Sequence, residues 1–163
     1  MIRSLKGKRP QIGNDCYIDD AAVLIGDVTI GDRSSVWPCA VLRGDEAPIT
    51  VGSGSSVQDN CVLHGGASVG SDVTLGHGAI VHGCTVEDGC LIGMGAIVMD
   101  GAVIGHHSLV GAGALVTGKT TVPPGSMVLG SPAKVVRPLK EEEYKAMKWQ
   151  SDVYLELIEE YKE

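Results

Sequence analysis

Aliphatic residues return at every sixth position along most of the chain. One series runs Ile12, Ile18, Leu24, Ile30, Val36 and Leu42. A second runs Val51, Val57, Leu63, Val69, Leu75 and Val81, and a third Val86, Ile92, Val98, Ile104, Val110, Val116, Val122 and Val128. Glycine often follows the aliphatic, as at Gly31, Gly52, Gly70, Gly76, Gly93, Gly105 and Gly111. A small residue often precedes it by two, as at Ala22, Ser34, Ala40, Cys61, Ala96 and Ala114. A period of six fits neither the stripe of an amphipathic helix nor the alternation of a half-buried strand. A fixed short period is the mark of a solenoid. Three short strands separated by turns close one triangular coil, so equivalent positions in successive coils lie three sixes, or 18 residues, apart. The aliphatics fill the axis, and glycine permits the turn conformation.

The fold class expected is therefore all-β, a left-handed parallel β-helix of hexapeptide repeats with the shape of a triangular prism, over residues 1–138. Met94 and Met99 are expected to pack within it. Pro132 and Pro138 bracket an extended strap, whose Lys134 and Arg137 are expected to make surface contacts. Composition then changes, and residues 139–163 read as a C-terminal α-helical segment packing on the β-helix. Glu141, Glu142 and Glu143 fall in its first turn, where the helix dipole favours them. Ser151 and Asp152 suggest a cap and a break into two segments. Val153, Leu157 and Tyr161 share one helical face, with Tyr154 and Ile158 alongside.

Counting by coils places the polar residues. His64 and His82 follow Leu63 and Val81, 18 apart, so they share a face in successive coils. Neighbouring strands lie about 4.8 Å apart, so both rings can reach one ion. His77 precedes His82 by five residues and falls on a different face, roughly 16 Å away if the chain is extended. A zinc ligand nitrogen must lie about 2.0–2.1 Å from the metal, so one subunit cannot easily supply all three. A threefold axis brings a neighbour's His77 to the His64 and His82 face, and cyclic symmetry repeats that site at each interface. Allowing three inserted residues at the Gly44–Pro48 bend, Arg43 stacks above His64 and His82. Asp59 stacks above His77, with Gln58 beside it. Where the two faces meet, Arg43 can pair with Asp59. His106 and His107 are expected to be solvated turn residues.

These residues carry a family resemblance. The runs WPCAVLRGDEAPITVG, VQDNCVLH, GHGAIVHGC and IGMGAIVMDGAVIG, with the tail VPPGSMVLGSPAKVVR, resemble the γ-class carbonic anhydrases over nearly the whole chain. The resemblance implies a homotrimer with a metal at each interface, held by His64 and His82 of one subunit and His77 of the next. It implies roles around bound water or bicarbonate for Arg43, Asp45, Gln58 and Asp59. The family's habit of placing a tyrosine at the metal pocket points to Tyr154. The activity implied is that of a lyase, the reversible hydration of carbon dioxide. Three neutral imidazoles leave a coordination position open on Zn²⁺, with Fe²⁺ or Co²⁺ as alternatives. The ion brings the pKa of bound water near 7 and so supplies hydroxide. The founding members insert an acidic loop with a proton-shuttling glutamate soon after the first histidine. Here GGASVGSD follows His64 at once, which places the chain with the shorter relatives and lowers the turnover expected of it.

Composition narrows the remaining choices. Twenty-three glycines and no phenylalanine among 163 residues suit a narrow solenoid better than a sandwich. A net charge of −7 argues against a nucleic-acid surface, which would need a basic patch. No run approaches 18 apolar residues, so no membrane span is expected. The opening MIRSLKGKRP is basic without an apolar core, unlike a secretory signal, and the cytoplasm is the expected location. Five cysteines form no CxxC pair. Cys16, Cys61 and Cys90 occupy the small-residue position of the repeat and are expected to be buried free thiols. Two other functions suit the fold: a hexapeptide acyltransferase using acetyl-CoA, and a non-catalytic scaffold subunit that keeps a metal site. An acyltransferase needs one histidine base, whereas three converging histidines favour a metal.

Overall fold

The computed structural model describes residues 1–162. Residues 2–138 wind into a left-handed parallel β-helix, and α1 (Glu141–Tyr161) lies along one side of it. The first face uses the starts of the long strands Val23–Ile30 and Val41–Val51, then Val62–His64, Ile80–His82, Ile97–Val98 and Leu115–Val116. The second uses the ends of those long strands, then Ser68–Val69, Thr85–Val86, Val103–Ile104 and Thr121–Val122. The third runs from Tyr17–Ile18 through Ser35–Val36, Ser56–Val57, Thr74–Leu75, Leu91–Ile92 and Leu109–Val110 to the hairpin of Ser126–Gly130 and Ala133–Pro138.

The six-residue series points inward. Leu24, Leu42, Leu63, Val81, Val98 and Val116 form one buried column, each paired in register with the next. Ile12 departs from the series, at 37% exposed, because it lies in the N-terminal coil with no coil beneath it. Two irregularities flank the regular 18-residue step between Leu63 and Val81. The step from Leu42 to Leu63 is 21, because the bend at Gly44–Pro48 adds three residues, and the step from Val81 to Val98 is 17. Both lie next to the histidine coils.

The outward positions distinguish the faces. On the first face they form an aliphatic ladder of Val23, Val41, Val62, Ile80, Ile97 and Leu115, all partly exposed. On the second they are Thr29, Thr50, Ser68, Thr85, Val103 and Thr121, a mostly hydroxyl ladder suited to water. The third is covered by α1. Met127, Leu139 and Met147 form a buried cluster with Leu91, Leu109 and Tyr144 beside it. Further along, Trp37 meets Tyr154 and Tyr161 edge-on, at ring-centroid distances of 5.4 and 5.1 Å.

α1 departs from the expected helical segment in two ways. It runs unbroken for 21 residues through Ser151 and Asp152. Ser151 is buried against the β-helix and Asp152 pairs with Lys148 one turn back, so neither is free to cap a new helix. The buried seam is Met147, Ser151 and Ile158 with Tyr154 half-buried, while Val153 and Leu157 sit partly exposed on the flank and Tyr161 is exposed. Arg137 does more than make a surface contact. Its guanidinium donates to both oxygens of Glu143, at 2.8 and 2.6 Å, and so ties the strap to the first turn of α1. Met94 and Met99 are not packed within the chain; they are 59% and 42% exposed. No helix among the described residues is long and apolar enough to cross a membrane.

Candidate metal centre

Two corners frame the first face. The chain enters it past Asp59 and His77 and leaves it at His64 and His82. His82 pairs in register with His64 across adjacent strands. Their rings lie 5.0 Å apart at 61°, with Nδ1 of His64 3.1 Å from Nε2 of His82. Each ring is held at its other nitrogen by a carboxylate. Nε2 of His64 meets Asp45 at 2.9 Å, and Nδ1 of His82 meets Asp100 at 2.7 Å. The second oxygen of Asp45 accepts from the Arg43 guanidinium.

These contacts assign the protons. The hydrogen bond from His64, aided by Arg43, holds the Asp45 carboxyl below its ordinary range. The bond from His82 does the same for Asp100. Both are ionised near neutrality and can only accept, so the ring nitrogens facing them carry the hydrogens. In the neutral rings, Nδ1 of His64 and Nε2 of His82 then turn lone pairs toward each other across 3.1 Å. Two nitrogens about 2.0–2.1 Å from one tetrahedral zinc lie about 3.3 Å apart, so the pair stands close to ligand spacing. A carboxylate on the far nitrogen is also the usual support of a metal-binding imidazole. The donor set therefore fits a divalent metal.

At the other corner, Nδ1 of His77 meets Asp59 at 2.8 Å, which leaves Nε2 as the free nitrogen of a half-exposed ring. Gln58 is buried beside it. Its Oε1 accepts the His77 backbone N–H at 3.1 Å, while its Nε2 has no partner, alone in this among the buried side-chain atoms of the described residues. Leaving such a donor unmet costs about 1–3 kcal/mol, which marks a place for a partner or ligand. Tyr154 belongs to this corner. Burial pushes its phenol up, and the charges of Asp59 and Cys61 add to the effect.

The chain thus brings together Arg43, Asp45, His64 and His82 at one corner and Gln58, Asp59, His77 and Tyr154 at the other. Within one chain Arg43 pairs with Asp45 and Asp59 with His77, rather than with each other. Among the described residues no three His, Cys, Asp or Glu side chains form a group able to hold a metal. One chain offers two facing donors, and the third histidine lies not on a separate face, as the spacing suggested, but at the opposite corner of the same one. Asp100 was not among the expected site residues. Counting by coils does not find it, because the step at this coil is 17 and sets Asp100 level with Gly83 rather than with His82. His106 and His107 are exposed, their Nδ1 atoms 3.0 Å apart.

Comparison with known proteins gives the family. The hexapeptide repeat family described as "Bacterial transferase hexapeptide (six repeats)" matches residues 9–44 and 83–118. A probable carbonic anhydrase of Methanocaldococcus jannaschii is 52% identical over 91% of this chain and 96% of its own length. The mitochondrial gamma carbonic anhydrase 2 of Arabidopsis thaliana is 41% identical over 93% of this chain, which spans 58% of that longer protein. The chain belongs to the γ-class carbonic anhydrase family. Among solved structures, a hexapeptide transferase family protein from Anaplasma phagocytophilum superposes on this γ-class chain with a TM-score of 0.96. It is 39% identical, with 99% of this chain and 98% of the other covered.

Proposed function

We propose that the protein is a metal-dependent γ-type carbonic anhydrase that assembles as a trimer and interconverts carbon dioxide and bicarbonate. In this reading each interface holds one ion, with His64 and His82 from one subunit and His77 from the next. One observation carries it: two imidazole nitrogens face each other at 3.1 Å, each ring braced by a carboxylate on its far side. The aliphatic ladder on the first face supports the assembly, because apolar surface of that extent marks an association site. A second copy covers it by setting its His64 and His82 corner against the His77 corner of its neighbour. The exposed Met94 and Met99 lie one coil beyond the histidines at those same two corners and would meet across the same interface.

Zn²⁺ is the expected ion, with Fe²⁺ or Co²⁺ suited to the same nitrogens. Bound there, the ion supplies a water acidified to a pKa near 7. The chain's own residues do the rest. Arg43 draws the bicarbonate anion to the corner. Asp45, ionised and fixed by His64, accepts a hydrogen from the reacting water and orients it. The free Nε2 of Gln58 donates to an oxygen of water or substrate. Asp59 fixes the tautomer of His77, and Tyr154 closes the side of the pocket nearest Asp59. With Gly65 and Gly66 directly after His64, no acidic insertion carries the proton away, so turnover below that of insertion-bearing members is expected.

The test is metal analysis of protein purified without chelator, followed by stopped-flow carbon dioxide hydration. One ion per chain and hydration that His77→Ala reduces to the buffer rate would support the reading. A fully loaded monomer would refute the shared site. A metal-loaded trimer without hydration would leave a scaffold subunit instead.

A further inference from the structure

We infer that Asp100 is a positioning residue of the metal centre, the carboxylate that makes Nε2 the ligand atom of His82 and holds that ring in place. The inference rests on the proposed metal site. Asp100 comes from the coil beyond His82, where simple stacking does not bring it to the ring. Val81 pairs with Val98, so His82 is level with Met99 and Gly83 with Asp100. To meet Nδ1 of His82 at 2.7 Å, the Asp100 side chain must lie back across residue 83. That residue is glycine, with φ of +57°, and a Cβ there would stand 2.8 Å from Oδ2 and 3.0 Å from Cγ of Asp100. Gly83 therefore turns the corner and also leaves the space that the carboxylate occupies. The corner is short as well, with five steps from Val81 to Val86 against six from Val98 to Ile104 one coil on.

Stability does not account for this construction. The Asp100 side chain is 67% exposed, where solvent screening leaves an ion pair little net effect on stability. Its effect is on orientation. Asp45 grips His64 from the coil before, and Asp100 grips His82 from the coil after, so the two free nitrogens are held face to face. Without Asp100 the His82 ring can rotate, and its proton can move to Nε2, the atom that must be bare to bind metal.

The test is cobalt titration of the intact, chelator-stripped protein, read by visible absorption, with zinc competition as a second measure. Asp100→Ala should weaken Co²⁺ binding about 10–100-fold, the usual effect of losing such a partner. Oligomeric state and melting temperature should stay unchanged. Asp100→Asn keeps an oxygen that accepts from Nδ1 and should recover part of the loss. Asp88→Asn is the control, since Asp88 accepts the Ser71 N–H at 2.8 Å at a corner without ligands; it should leave cobalt binding as in wild type. An Asp100→Ala affinity within about twofold of wild type, or an equal loss in Asp88→Asn, would overturn the inference. A wild-type protein that takes up no cobalt would refute the metal site itself, and the role of Asp100 with it.

Discussion

At the scale of single residues, the same tool, burial, produces inert and active groups. Cys61, Cys84 and Cys90 fill the small positions of the β-helix core, and burial pushes their thiols up to about 11, 12 and 12. At pH 8 each is therefore thiolate in about one part in a thousand or less, which makes it a poor nucleophile. These three should resist an aromatic disulfide reagent in the native protein at pH 8, while all five cysteines react in denaturant. Native labelling of any of the three at the rate of an exposed thiol would show that burial does not keep it inert. Gln58 shows the opposite use of burial, with an amide kept dry and its nitrogen left without a partner at the edge of the site. The small-residue position of Cys61 and Cys90 was legible from the repeat alone. The contact of Asp100 with His82 was not, because it depends on a side chain lying back across Gly83, and repeat counting sees only backbone columns. Met94 and Met99 were misread for a related reason. They stand at corners, outside the inward series, where one chain gives them nothing to pack on.

At the scale of elements, the strands were legible and the helix was legible only in outline. A buried strand of the β-helix repeats its inward residue in every coil, so the pattern is reinforced many times. α1 occurs once, and its interior is set by what it lies on. Ser151 has the chemistry of a cap, but its position against the β-helix makes it a small residue in a seam. The start of α1 is fixed by Glu143. It accepts the Lys140 backbone N–H at 2.7 Å and takes both donors of Arg137. Arg137 chiefly, with that backbone bond, lowers the Glu143 pKa from 4.5 to about 2. A carboxyl with a lowered folded-state pKa stabilises the fold fully above its unfolded value, and that contribution disappears as pH falls through the folded value. Glu143→Gln should therefore lower the melting temperature at pH 7. The gap to wild type should begin to close below pH 4.5 and vanish near pH 2. Thermal melts across that range decide it, and a gap independent of pH would show that the ion pair does not anchor α1.

At the scale of the whole molecule, the prism has three sides and three different fates for them. The third is covered by α1, the second carries hydroxyls for water, and the first is left with Val23, Val41, Val62, Ile80, Ile97 and Leu115 uncovered. The proposed trimer covers that side and closes the metal site in one step, which gives a decisive experiment. His64→Ala and His77→Ala should each abolish metal binding, yet they remove ligands from opposite corners of a subunit. When the two variants are mixed and subunits exchange, every mixed trimer acquires one interface with neither substitution. It joins His64 and His82 of the chain altered at residue 77 to His77 of the chain altered at residue 64. Another interface carries both substitutions and the third carries one, so recovery is limited to a single site per mixed trimer. If all three ligands came from one chain, no mixture could restore any site. Metal titration of the exchanged mixture should therefore show partial return of binding where each parent shows none. No return, with exchange verified by differently tagged chains, would reject the shared site and the hydration chemistry proposed for it.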